Sequence, residues 1–236
     1  MRGKHVFAVV LALSTALVLA LPASAQSETF RYRGKVADAA FSNVKGCVGT
    51  DVLVSAQDSK GRQAPQQGFG APSEAVVQIY KYDACAPEPA PGPGAEEPQL
   101  LMAAFGFAPL SGGDFAVGKN LGTASLDTTV QMTDEVSGNT FSVDVDLNWS
   151  ATAAPRRFKE RYSYETTGFS FSGRVKGVTR AASASGSVSD GTAQYVTGAS
   201  DFARLLSLSS RIKQSGQPPE EIGFPGVGAG AGAGAL

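Results

Sequence analysis

Between residues 121 and 149 the chain alternates apolar and polar residues with a period of two, a pattern that a strand buries on one side and a helix does not. Leu126, Thr128, Val130 and Met132 share one face of the first segment. In the second, Phe141, Val143, Val145, Leu147 and Trp149 share one face, while Ser142, Asp144, Asp146 and Asn148 line the other. Ser137-Gly138-Asn139 supplies a turn between them, so the two segments form an antiparallel hairpin.

The same period recurs along the chain. Phe30, Tyr32, Gly34 and Val36 alternate with Arg31, Arg33 and Lys35, and Val48 to Ser55 alternates again. Strands follow over residues 76–82 and 100–107, then 162–175 with a bend or break inside it, then 181–188 and 192–197 joined through Asp190-Gly191. Residues 202–213 fit either a helix starting at Ser200 or Asp201 or a closing strand, and the interleaved serines favour the strand. Short strands, glycine-rich turns and no convincing amphipathic helix define an all-β, predominantly antiparallel sandwich or barrel. Phe30-x-Tyr32-x-Gly34-Lys35-Val36 is echoed by Phe169-x-Phe171-x-Gly173-Arg174-Val175, which places two glycines where a strand bends or an aromatic ring covers it.

Residues 1–25 read as a secretory signal peptide: Arg2, Lys4 and His5, an apolar run from Val6 to Leu21, and Ala23-Ser24-Ala25 as the cleavage site. The expected product is secreted, extracellular or periplasmic, with no membrane span after cleavage. Its body is a single all-β domain over residues 26–214, interrupted by a proline-rich exposed loop at 86–98, and residues 215–236 form a disordered Gly/Ala-rich tail. In an oxidising compartment Cys47 and Cys85 are expected to pair as one structural disulfide.

Removing the leader also removes His5, the single histidine. A Ser-His-Asp or Cys-His mechanism and His-ligated zinc are then out of reach. Gly-x-Ser-x-Gly, phosphate-loop and dinucleotide signatures are absent as well, which leaves carboxylate or lysine chemistry or none, leans against an enzyme, and gives no cofactor or metal to expect. Loss of Arg2 and Lys4 leaves 18 of the 20 basic residues against 21 acidic ones, an excess of the wrong sign for a nucleic-acid partner.

What remains is binding. Tyr80 with Tyr82, and Tyr162 with Tyr164, form same-face pairs that serve either as core or as platforms for sugar rings. Arg31, Arg33 and Lys35 form a cationic row, and Arg156, Arg157, Lys159 and Arg161 a second cluster; together they suit an acidic envelope polymer if the fold unites them. Asp144 and Asp146 lie about 7 Å apart on one strand face and read as a solvated surface. The leading expectation is a non-enzymatic binding or envelope-associated module for a polysaccharide or another surface component. The alternatives are a barrel carrying an apolar small molecule inside, and a carboxylate-dependent hydrolase.

Overall fold

The computed structural model describes residues 27–62, 73–86, 100–196 and 198–216; the expected leader, most of the proline-rich loop and the tail from 217 onward lie outside the described residues. Ten strands follow in order: β1 (Glu28–Lys45), β2 (Val48–Arg62), β3 (Ser73–Asp83), β4 (Leu100–Pro109), β5 (Phe115–Val117), β6 (Thr123–Asp134), β7 (Thr140–Ala151), β8 (Arg156–Thr166), β9 (Phe169–Ser189) and β10 (Phe202–Ser215). All pair antiparallel, in the order β10-β1-β2-β3-β4-β6-β7-β9, and β9 pairs back onto β10. The ring is closed, so the all-β domain is a barrel rather than a sandwich.

The ten strands occupy eight positions. β4 and β5 lie end to end against β6, β4 at Gln131–Asp134 and β5 at Ala124–Leu126. β7 and β8 likewise share one edge of β9, β7 opposite 182–189 and β8 opposite 169–179. Chain order and spatial order then coincide, which is an up-and-down meander.

The interior is apolar and occupied. Val52, Val54, Val77, Ile79, Leu126, Val130, Val143, Val145, Leu147 and Leu205 are almost fully buried in one cluster. Trp149 is 1% exposed, and its indole N–H donates to the Asp38 carbonyl at 3.0 Å, linking β7 to β1 two strands beyond its neighbour β9. On β6 and β7 the outward positions are polar: Ser125, Asp127, Thr129 and Gln131, then Ser142, Asp144, Asp146 and Asn148. That polarity is the reverse of a membrane-spanning barrel wall. Among the described residues no helix is long and apolar enough to cross a membrane.

At one end the turns are tied down by carboxylates and the disulfide. Cys47 and Cys85 are bonded beside the β1–β2 turn, where Gly46 has φ +63°. Asp134 accepts from the Ser137 hydroxyl and from the amides of Ala103 and Val136, closing the β6–β7 hairpin where the Ser137-Gly138-Asn139 turn falls.

Two sequence expectations change. The break in the 162–175 stretch falls at Thr167-Gly168, with φ +82° at the glycine, and 169–189 is then one uninterrupted strand that includes the expected 181–188 segment. Its glycines and serines hide its length, because small residues on both faces blur the alternation. Of the expected strand at 192–197, Thr197 lies outside the described residues and 192–196 form no strand, with a single bridge between Ser189 and Gln194. Asp190 takes up the Thr192 and Ala193 amides and the Tyr195 hydroxyl, which curls the chain inward instead. Residues 202–213 are the closing strand, β10.

Candidate functional site

β1 changes its buried side halfway along. From Ala37 to Phe41 the odd-numbered residues face the barrel interior, with Ala37, Ala39 and Phe41 in the main core. Strand pairing through β1 is continuous, without a register shift, so Arg31, Arg33 and Lys35 lie on that same sheet face. There they are exposed, and the opposite face carries buried Phe30, Tyr32 and Val36.

The switch marks the end of the closed barrel. The turn at Lys119–Leu121, the end of β5 before it and the link at 152–155 form a floor, and two cations are bonded to its carbonyls. Arg180 donates to Ala153 and Asn120, and the Lys35 ammonium donates to the Val117 carbonyl at 3.1 Å. Past this floor, among the described residues, β2, β1, β10, β9 and β8 continue as a five-stranded extension.

Register places the cations of these strands side by side. Arg31 of β1 pairs with Arg211 of β10, Arg211 with Arg174 of β9, and Arg174 with Arg161 of β8. One row nearer the floor, Lys60 pairs with Arg33, Arg33 with Ser209, Ser209 with Lys176, and Lys176 with Lys159. Neighbouring strands are about 5 Å apart and rows about 7 Å apart, so eight cations share a small area of one face. All eight are exposed, and among the described residues none is in an ion pair; the Arg204–Asp38 bridge at 2.6 Å lies elsewhere, on the outer face. Asp58 on this face is opposite Lys35 and accepts from the Ser73 hydroxyl, and Glu165 lies four residues beyond Arg161 on β8. A half-open cavity of about 520 Å³ is centred here, lined by Arg31, Arg33, Lys60, Arg174, Lys176 and Arg211 around Ser209.

The two basic groups seen in the sequence are thus united in part. Arg31 and Arg33 meet Lys159 and Arg161 through β10 and β9, Lys35 is engaged at the floor, and Arg156 falls on the opposite face of β8. Sequence reading missed Lys60, Arg174, Lys176 and Arg211, although Arg174 and Lys176 repeat the alternate spacing of Arg31 and Arg33; all four join the site only through pairing.

The tyrosines are not brought together. Tyr80 and Tyr82 are on β3 and Tyr162 and Tyr164 on β8, which are not neighbours in the sheet. Tyr82 lies over Gly49 and Tyr162 over Gly173, each ring occupying the space a Cβ would need. Tyr162 also stacks on Phe171 at 5.3 Å, and burial pushes its phenol above the usual range, with Glu160 adding to the effect. These rings patch glycines in the sheet. Gly34 is covered in the same way by Tyr32, so both glycines of the Phe30 and Phe169 echo lie under tyrosines. The echoing strands flank β10 on either side, but out of step: Phe30 and Gly173 are the two partners of Ile212.

Asp144 and Asp146 are exposed on the outer wall, Asp146 opposite Asp127 and Asp144 accepting from the Thr129 hydroxyl at 2.8 Å. Among the described residues no three His, Cys, Asp or Glu side chains gather as a metal ion requires. No family model, curated protein or solved structure matches the chain, so the functional reading rests on this geometry alone.

Proposed function

We propose that this is an exported, non-catalytic binding protein whose ligand is an anionic polymer of the cell surface, held on the inner face of the five-stranded extension. The observation that carries the reading is the juxtaposition of Arg31, Arg211, Arg174 and Arg161 across four adjacent strands, with a second row beside them and no counter-charge among them. Like charges directly opposite each other on a sheet are destabilising, so such a lattice is costly unless something anionic covers it. Arginine suits that purpose, since its fork of donors binds carboxylate, sulfate or phosphate oxygens in pairs.

Length argues for a polymer over a compact ion. The cavity is lined by β2, β1, β10 and β9, while Lys159 and Arg161 carry both rows onward to β8, whose outer edge is open along the extension. The apolar-carrier alternative draws no support from an interior spanned by Trp149, nor the hydrolase alternative from aspartates spread over an outer wall.

The test is retention of the chain by dextran sulfate and by polygalacturonate at physiological ionic strength. Binding should weaken steeply with added salt, and reversing two charges in Arg31→Glu/Arg174→Glu should lower affinity at least about tenfold. Failure to bind either polymer, or full binding by the folded double variant, would sink the reading.

A further inference from the structure

The two cationic rows of the extension are not uniformly charged, and their one interruption among the described residues has a shape. In the row Lys60, Arg33, Ser209, Lys176, Lys159 the central position on β10 is a serine, whereas the next row, Arg31, Arg211, Arg174, Arg161, is unbroken. Ser209 therefore has Arg33 on one side, Lys176 on the other, and Arg211 two residues along its own strand on the same face. Toward the floor its neighbour on that face is Ser207, also short, and the serine lane stops at Lys35, which is held by Val117. A long side chain at 209 would occupy the middle of the cavity that Ser209 lines.

We infer that the notch over Ser209 is an anchoring subsite for one tetrahedral oxyanion ester, a sulfate or phosphate group carried by the polymer. This rests on the anionic-polymer reading above and adds to it the kind of charge that is recognised. Cations approach the notch from three directions and a hydroxyl forms its base, which matches a group with three terminal oxygens; a planar carboxylate has two. The rest of the polymer crosses the strands toward β8, where Lys159 and Arg161, which do not line this cavity, meet later charges.

Three derivatives of one dextran, bearing sulfate, phosphate or carboxymethyl groups at equal substitution, isolate the anionic group from the backbone. The wild-type chain should bind the sulfate or the phosphate form about tenfold more tightly than the carboxymethyl form, as expected for one or two extra charge-assisted hydrogen bonds, and which of the two wins identifies the ester. Ser209→Leu, which leaves every charge in place, should abolish that preference and keep the carboxymethyl affinity; Ser209→Thr should reduce the preference part-way. Trp149 fluorescence reports whether each variant retains the barrel. Equal affinity for all three polymers, or a preference that survives in folded Ser209→Leu, overturns the subsite. If equal binding is nonetheless lost in Arg31→Glu/Arg174→Glu, the anionic-polymer reading stands while the subsite falls, and if no derivative binds, both fall.

Discussion

The two halves of strands β1, β9 and β10 are made by the same backbone and the same period, yet their inner faces are opposite in character. In the barrel half that face presents Ala37, Ala39 and Phe41 from β1, Ala203 and Leu205 from β10, and Ala184 and Val188 from β9. Beyond the floor it presents Arg31, Arg33, Arg174, Lys176 and Arg211, and the apolar residues move to the other side as a small cluster of Phe30, Phe169, Phe171 and Ile212 with Tyr162 against it. The cause is closure. Where the wall of β3 to β6 stands opposite, the inner face is sealed from water; where that wall ends, the same face is wet and the hydrophobic effect no longer fills it. Alternation along a strand reveals that one side is buried, and the far wall decides which.

The largest expected effect sets one cluster against the other. Trp149→Ala removes a fully buried indole and its bond to Asp38, and should cost about 3 to 5 kcal/mol in urea unfolding. Phe171→Ala, in a cluster built on only four buried residues, should cost less, nearer about 2 kcal/mol, and should raise amide exchange only in β8, the first half of β9 and the end of β10. Equal costs with global exchange in both variants would mean that barrel and extension unfold as one unit, and the comparison would lose its energetic content.

A smaller effect sharpens the contrast between the two ends. The end opposite the cations is held by Asp190, whose carboxyl is lowered well below the usual carboxylate range by the Tyr195 hydroxyl first, then by the Ala193 amide and by Thr192. Tyr195 moves the other way, its phenol raised by burial and by the facing Asp190. A carboxylate whose pKa is depressed on folding stabilises fully above its unfolded value of about 4, and that stability is lost as pH falls through the folded value. Asp134, lowered by the Ser137 hydroxyl, adds to the same trend. Acid below about pH 4 should therefore loosen the segment that Asp190 and Tyr195 hold before the extension. Tyr195→Phe should cost about 1 kcal/mol at neutral pH and flatten the acid limb of the stability profile, measured by urea midpoints between pH 2 and 7. An unchanged acid limb would remove Asp190 as its source.

Much of the barrel half was legible in the sequence because each strand there meets one kind of environment on each side. The hairpin of β6 and β7 could be read almost residue by residue, down to its turn and the inward Trp149. The 21-residue β9 could not, since it changes partner from β8 to β7 along one edge and its small residues serve both. The site was half visible. Arg31 and Arg33 stand out as a row, but Arg174, Lys176, Arg211 and Lys60 come from three other strands, and only pairing brings them into line, Lys60 through β1 with β2 and the others through the closing pair of β1 with β10. Tyr82 and Tyr162 misled for the same reason: the glycine each one covers belongs to the neighbouring strand.

The smallest effect has the most telling sign. Arg174 has a cation directly opposite on both sides, Arg211 and Arg161. Arg174→Gln keeps the stem and donors but removes the charge, relieving two like-charge pairs at about 0.2 to 1 kcal/mol each before solvent screening. The variant should be slightly more stable than the parent at low salt, by a few tenths of a kcal/mol, and the difference should vanish near 1 M salt, where the screening length falls to about 3 Å. In the barrel half, loss of a buried side chain has the opposite sign and no such salt dependence. The same substitution should weaken polyanion binding, so stability and affinity move in opposite directions at one residue. That trade is what separates a surface kept for a ligand from one kept for the fold: if Arg174→Gln instead destabilises the protein, the cations are holding the extension together and the lattice has a structural role.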